Sequence, residues 1–178
     1  RKKAESQHLS IRWVEADACS FDLGKQYQFV FMTGNAFQAF LRREDQQALF
    51  ASVKRHLLPN GVFAFETRNP SGHNLTDQPE EEFEYSYRSM EGHRVSVSFT
   101  QRYDPIAQIM YWTSYRRWKD GDRDRTKETH IACRFTYPQE LEALLHYNSF
   151  EVIQQFGDWD RQALSASSPS IISICRVR

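Results

Sequence analysis

Between Gln28 and Glu66 the chain places two short, nearly all-apolar runs on either side of an amphipathic stretch, and few folds accept that order. Gln28-Phe29-Val30-Phe31-Met32 is closed by Thr33-Gly34-Asn35, and Val62-Phe63-Ala64-Phe65 leads into Glu66. Short apolar runs bounded by turn formers read as strands buried on both faces, the habit of parallel sheets. Between Glu44 and Leu58 the residues Leu49, Phe50, Val53, Leu57 and Leu58 recur at helical spacing. Pro59-Asn60-Gly61 supplies a breaker and a position of positive φ, so the helix is expected to end there. Upstream, Ile11 to Ala18 is a β-leaning run that turns acidic at Asp17, and it predicts one more strand. Strand, loop, strand, helix, strand is a piece of a doubly wound α/β fold, in which ligands lie beyond the carboxyl ends of the strands. Those ends are Asp17-Ala18, Thr33-Gly34-Asn35 and Thr67-Arg68-Asn69.

From Glu66 onward the pattern changes. Thr67 to Asn74 is a loop by composition, and the acidic run Asp77 to Glu84 reads as a mobile, solvated connection. Residues 83 to 135 then alternate like an antiparallel sheet: Val95, Val97 and Phe99 interleave with Arg94, Ser96 and Ser98. Turns are expected at Met90-Glu91-Gly92, Asp104-Pro105 and Lys119-Asp120-Gly121-Asp122, which delimits four strands. Such a sheet has one dry face that must cover something. Thr136-Tyr137-Pro138-Gln139 is a capping-box start, Leu141, Leu144 and Leu145 give a helix its buried stripe, and Asn148 stops it. Two more strands, Glu151 to Phe156 and Ser170 to Val177, are joined through Gly157-Asp158-Trp159-Asp160 and a serine-rich loop. The organisation predicted is therefore an α/β core over 1–75 and 136–178, with an antiparallel β insert over 76–135.

Composition limits the function. Lys plus Arg and Asp plus Glu both number 23, so no overall field draws the chain to nucleic acid or an anionic membrane. The cysteines Cys19, Cys133 and Cys175 are odd in number and far apart, which argues against a disulfide framework or C-x-x-C metal spacing and fits a reducing, cytoplasmic setting. Six scattered histidines make no metal site, and neither an H-E-x-x-H motif nor a nucleophile elbow occurs. No run is long enough to cross a bilayer, so a soluble protein is expected.

Val14-Glu15-Ala16-Asp17-Ala18, then Tyr27-Gln28-Phe29-Val30-Phe31, then Leu57-Leu58-Pro59-Asn60-Gly61-Val62-Phe63-Ala64-Phe65 resembles the second half of a class I S-adenosylmethionine-dependent methyltransferase. The matching family pieces are an acidic residue after the third strand, an F-D-x-V fourth strand and an L-K-P-G-G helix stop. Gln28 departs from the pattern, standing where the family has a structural Asp. Gly157-Asp158-Trp159-Asp160 resembles the family's exit from its sixth strand into a closing antiparallel hairpin. The resemblance implies a Rossmann-like methyltransferase fold whose first two β-α units, at about 30 residues each, are absent from this segment. Those units carry the glycine-rich turn and the ribose-binding acid, and the seven glycines here never cluster into such a cradle. Methyl transfer is accordingly expected of the longer protein, with at most half of a cofactor pocket in this segment.

The resemblance also implies roles. Asp17 and the Ala18 N–H would read the adenine edge of S-adenosylmethionine, although Asp17 also reads as a turn cap. Thr33 and Gly34 would flank the cofactor, glycine permitting close approach. Asn35 and Gln38 would orient a small-molecule acceptor, against the alternative that Asn35 caps a short helix and Phe37 is core. Arg68 and His73, in the loop after the fifth strand, are candidate substrate contacts. The insert would act as a lid, with Tyr87 and Tyr115 among its aromatic residues turned to the substrate. His73, His130, Tyr87 and Tyr115 are all candidates for a base, and none is preferred. Two other classes stay open: a nicotinamide-dependent oxidoreductase, and a non-catalytic subunit that forms a homodimer through the insert or an open sheet edge. A last strand lying antiparallel between the two strands before it in the sheet would favour the methyltransferase.

Overall fold

The computed structural model describes residues 2–71 and 75–178. It contains two four-stranded sheets. After a short helix α1 (Lys2–Ser6), the core is built from β1 (Tyr27–Met32), a 3-10 turn (Ala36–Ala39), α2 (Arg43–Arg55) and β2 (Leu57–Arg68). The insert follows as β3 (Gln78–Arg88), β4 (Arg94–Asp104), β5 (Ile109–Asp120) and β6 (Arg123–Arg134), and the chain returns to the core with α3 (Pro138–Tyr147), β7 (Phe150–Phe156) and β8 (Ser170–Val177).

The core sheet has the order β1-β2-β8-β7. β1 and β2 are parallel, while β8 runs antiparallel to both of its neighbours. Placing the last strand between β2 and β7 is the arrangement that the methyltransferase resemblance requires. The dry side of this sheet is aromatic: Phe65 stands 5.1 Å from Phe37, 5.9 Å from Phe50 and 4.9 Å from Phe63, centroid to centroid. Leu49, Phe50 and Val53 of α2 and Leu141, Leu144 and Leu145 of α3 close over it. Each helix thus buries one apolar stripe against the same face.

Three expectations fail for the same reason, that strands are made by their neighbours. Ile11 to Ala18 is not a strand; no neighbour offers it a backbone ladder among the described residues, and Ile11, Trp13 and Val14 are left exposed. β1 is buried on one face instead of two, with Phe29 55% and Phe31 63% exposed on the side away from α2. The helix α2 stops at Arg55, before Leu57. There Tyr27 N donates to His56 O at 2.8 Å, and Leu57 already pairs with Tyr27. Pro59-Asn60-Gly61 is consequently an irregularity inside β2, with the positive φ at Asn60 (63°). Gly61 is needed for space, since a Cβ there would sit 2.9 Å from Leu58 O and 3.1 Å from Tyr27 O.

The insert is a meander in chain order, β3-β4-β5-β6. The run expected to be a loose acidic connection forms the first part of β3, because β4 supplies the ladder and an edge strand can hold its carboxylates in water. Arg134 joins the insert to the core: it donates to Leu41 O at 3.2 Å and to the Glu140 carboxylate at 2.9 Å. Glu140 also accepts from Tyr137 N at 3.4 Å, closing the start of α3. No helix among the described residues is long and apolar enough to cross a membrane.

Candidate functional site

A cavity of about 680 Å³ lies between the carboxyl ends of β1 and β2 and the inner face of the insert. Gly34, Asn35, Gln38, Arg68, Pro169 and Ser170 form the core wall; Glu84, Phe99, Gln101, Trp112, Ser114, Ile131, Cys133 and Phe135 form the wall opposite. The pleat explains the second set. Trp112 pairs with Gln101 and Ile131, and Ser114 pairs with Phe99, so these side chains share one face of the insert.

The core wall is set by Glu66, the last but two of β2 and buried. Its Oε1 accepts from the Gly34 N–H and, at 3.2 Å, from the Asn35 N–H. Its Oε2 accepts from Trp159 Nε1 at 2.6 Å. One carboxylate thereby ties the turn after β1 to the Gly157-Asp158-Trp159-Asp160 segment. A buried carboxylate is costly unless its lone pairs are filled, and here three N–H groups fill them. Asn69 performs a parallel task, donating from Nδ2 to Ser165 O and Ser168 O, both at 3.0 Å. A Cβ on Gly157 would collide with the Ser168 side chain, which accounts for glycine in that position.

The turn after β1 is unusual in what it leaves unpaired. Gly34 and Asn35 are both left-handed, at φ 72° and 55°. Asn35 occupies the cap position of the 3-10 turn without a side-chain cap bond, and its Oδ1 is buried with no partner among the described residues. Gln38, only 1% exposed, donates from Nε2 to Arg134 O at 3.4 Å, and its Oε1 is likewise unpartnered. Phe37 faces the core. On the other wall Trp112 Nε1 donates to Gln101 Oε1 at 2.9 Å, and Gln101 Nε2 donates to Thr76 O at 2.8 Å. The Arg68 guanidinium lies 5.4 Å from the Trp112 ring centre, a cation–π contact. Burial pushes the Cys133 thiol above its ordinary value, and the nearby Arg68 charge opposes that shift.

Of the residues expected at a site, Gly34, Asn35, Gln38 and Arg68 meet at this cavity. Asp17 does not; its Oδ1 accepts from Cys19 N at 2.9 Å in a local turn, which is the turn-capping alternative. Ala18 packs against the core, and Thr33 is exposed beside Gly34. Tyr87 lines a different hollow of about 460 Å³ with His93 and Trp118. Tyr115 lies on the outer face of the insert under Arg117, whose guanidinium is 5.1 Å from its ring centre. His130 is on that outer face too, 3.1 Å from Thr113 Oγ1. His73 lies outside the described residues. Among the described lining residues, the only titratable side chains are Arg68, Glu84 and Cys133. Glu66 and Trp159 were not expected as partners; an acid ending an otherwise apolar strand was the available signal.

The two sheets and their helices form the Rossmann-like fold of methyltransferases, with an antiparallel sheet inserted before the last helix. No protein-family model and no curated protein sequence matches the chain. Solved structures do match. An S-adenosylmethionine-dependent methyltransferase from Clostridium acetobutylicum ATCC 824 superposes with a TM-score of 0.79 at 15% identity, over 99% of this chain and 68% of that one. The CcbJ methyltransferase from Streptomyces caelestis gives 0.79 at 22% identity, over 92% and 62%. The sugar N-methyltransferase KedS8 from Streptoalloteichus sp ATCC 53650 gives 0.72 at 16% identity, over 99% and 66%. The chain therefore spans about two thirds of the length of each. At these identities the likeness establishes the fold.

Proposed function

We propose that the protein is an S-adenosylmethionine-dependent methyltransferase that acts on a small molecule held in the cavity between the two sheets. The observation that carries this reading is the position of that cavity at the carboxyl ends of β1 and β2, in a sheet whose antiparallel β8 lies between β2 and β7. That strand order disfavours a nicotinamide-dependent oxidoreductase, whose classical sheet is parallel throughout. Gly34 suits the cofactor on this chain's side: it lines the cavity and has open space where a Cβ would project. Thr33 and Gly34 would hold that side of the cofactor, and the second oxygen of Asp17, whose Oδ1 is taken by Cys19 N, would be the one left for its adenine edge.

Bound S-adenosylmethionine supplies a methyl group on a positively charged sulfur, and its in-line displacement needs little from the protein beyond alignment and dryness. Here Glu66 fixes the turn that forms the floor, Asn35 and Gln38 orient the acceptor, and the insert wall of Phe99, Trp112 and Phe135 excludes water. Arg68 closes the rim against Trp112. Calorimetric titration of the intact protein with S-adenosylmethionine, with its mass measured on the same sample, tests the reading. Saturable binding sustains it; absence of binding by the intact protein removes the enzyme and leaves the fold.

A second reading, association of two copies through the sheet edge, rests on one observation: among the described residues β1 pairs on one side only, and its Phe29 and Phe31 are exposed. An unprotected edge with apolar side chains invites pairing. Sedimentation that shows a dimer in the wild type and a monomer for Phe31→Glu would favour it.

A further inference from the structure

Arg68 is the one cation on the cavity lining among the described residues, and its hydrogen-bonding capacity is unspent. We infer that Arg68 reads a carboxylate on the molecule held between the two sheets, and that this molecule carries the carboxylate on an apolar ring laid against the insert wall. Identifying it as the methyl acceptor rests on the methyltransferase reading; its recognition by Arg68 does not.

Arg68 ends β2, where its backbone pairs with Ser170 of β8 and both of its chain neighbours, Thr67 and Asn69, are buried. Its own side chain is exposed and lines the cavity. The guanidinium lies 5.4 Å from the Trp112 ring centre. That ring is held in turn, because Trp112 Nε1 donates to Gln101 Oε1 and Gln101 Nε2 donates to Thr76 O. The strand end fixes the root of the side chain and the held ring fixes its tip. Little side-chain freedom is then left for a ligand to freeze, which lowers the cost of binding.

Arginines elsewhere in the chain spend their N–H groups on protein. Arg134, which crosses between the same two sheets, holds Leu41 O and Glu140, while Arg117 holds Glu81, Arg125 holds Asp120 and Arg176 holds Glu151. Arg68 holds neither a carboxylate nor a carbonyl among the described residues. A cation–π contact uses no hydrogen-bond acceptor, so the N–H fork stays available, and a planar carboxylate matches it. The charge is felt inside the cavity: it opposes the burial-driven rise of the thiol of Cys133, another lining residue. Glu84, the one acid on the lining among the described residues, stands exposed on the edge strand β3 and does not pair with Arg68, so water screens it. The remaining insert wall, Phe99, Trp112, Ile131 and Phe135, offers ring faces and a branched side chain, a surface for an apolar ring and not for a second charge.

The test titrates the full chain with three indoles of similar size and different charge: indole-3-acetate, indole-3-acetamide and tryptamine. Calorimetry should show indole-3-acetate binding about tenfold more tightly than the amide, the worth of one charge-assisted hydrogen bond at an exposed rim, with tryptamine weaker still. Arg68→Met should erase the preference for the acetate and leave the affinity of the amide unchanged. Arg68→Lys, which keeps the charge and loses the fork, should retain part of the preference. An Arg68 that only braced the two sheets would lose both probes together in Arg68→Met, and that result overturns the inference. So does a wild type that binds the amide or tryptamine as tightly as the acetate, failure of indole-3-acetate to bind up to its solubility, or a preference that survives Arg68→Met. S-adenosylmethionine also carries a carboxylate, and its titration against the same variants separates the two sources. If Arg68→Met weakens S-adenosylmethionine and spares the indole preference, Arg68 serves the cofactor and the inference falls. Acetate-selective binding that needs Arg68, without any binding of S-adenosylmethionine, leaves the inference standing and removes the methyltransferase reading.

Discussion

The two sheets obey different rules. In the core sheet every pairing joins segments distant in sequence except the closing hairpin, and its stability is aromatic: Phe37, Phe50, Phe63, Phe65 and Phe150 form one buried cluster. In the insert each strand pairs with the next in the chain, and β3 exposes nearly its whole length. It is held by its backbone ladder, by the buried Val95, Val97 and Met110, and by surface pairs such as Arg117 with Glu81 and Arg125 with Asp120. The core is therefore the part that folding depends on, and the insert is a shaped wall attached to it through Arg134 and Phe135. Damage to the first should be global, and damage to the edge of the second should stay local.

The largest effect that would test this division is expected from Phe65→Ala. Phe65 is fully buried among three other rings, and an alanine leaves a cavity that the cluster cannot close. A loss of about 3–5 kcal/mol is expected by denaturant titration. Should the variant lose less than Phe83→Ala, the division between the sheets is wrong. Glu66→Ala comes next. It leaves the N–H groups of Gly34, Asn35 and Trp159 without their acceptor, at a cost of about 1–3 kcal/mol reduced by whatever water enters. Its signature is local: faster hydrogen exchange at Gly34 and Asn35, with the amides of β5 unchanged. Uniformly faster exchange would mean that Glu66 supports the whole sheet and not the cavity floor. Phe83→Ala, on the insert's edge strand with Phe83 64% exposed, should cost within about 0.5 kcal/mol, as for most surface positions.

The same division decides what could be read from the sequence. The insert was legible because its signals are local: turn chemistry at Gly92 and at Asp120-Gly121, and strict alternation of Val95, Val97 and Phe99 with polar residues. Parity along β5 would even have sorted Tyr115 from Trp112, since positions three apart on a strand face opposite ways. The closing hairpin and α3 were legible for similar reasons. Ile11 to Ala18 was misread because β propensity describes a fit to neighbours, and none among the described residues pairs with it. The acidic start of β3 was misread in the opposite sense, its charges correctly predicting water and wrongly excluding a strand. At the site, Gly34, Asn35, Gln38 and Arg68 could be placed from their positions after strands, because a strand's end fixes where the chain emerges. Glu66 was missed because its partner, Trp159, is 93 residues away in sequence. Only the cost of burying a lone carboxylate could have flagged it.

The smallest effect concerns the surface pair that braces β3 against β5. Glu81 accepts from both Nη atoms of Arg117, the Nη2 contact at 2.7 Å, and from the Ser98 hydroxyl. These bonds, Arg117 first and Ser98 second, hold the Glu81 carboxyl below its ordinary value of 4.5. A depressed carboxylate favours the folded state above the unfolded-state value, and that contribution disappears as pH falls through the lower, folded-state value. Glu81→Gln should therefore unfold at a slightly lower temperature than the wild type near neutrality. The two curves should converge as pH is lowered below 4.5. Because the pair faces water, added salt should shrink the neutral-pH difference as well. Parallel curves down to acid pH would mean that Glu81 acts through its strand geometry and not its charge, and the pair with Arg117 would then add nothing to the hold of β4 on β3.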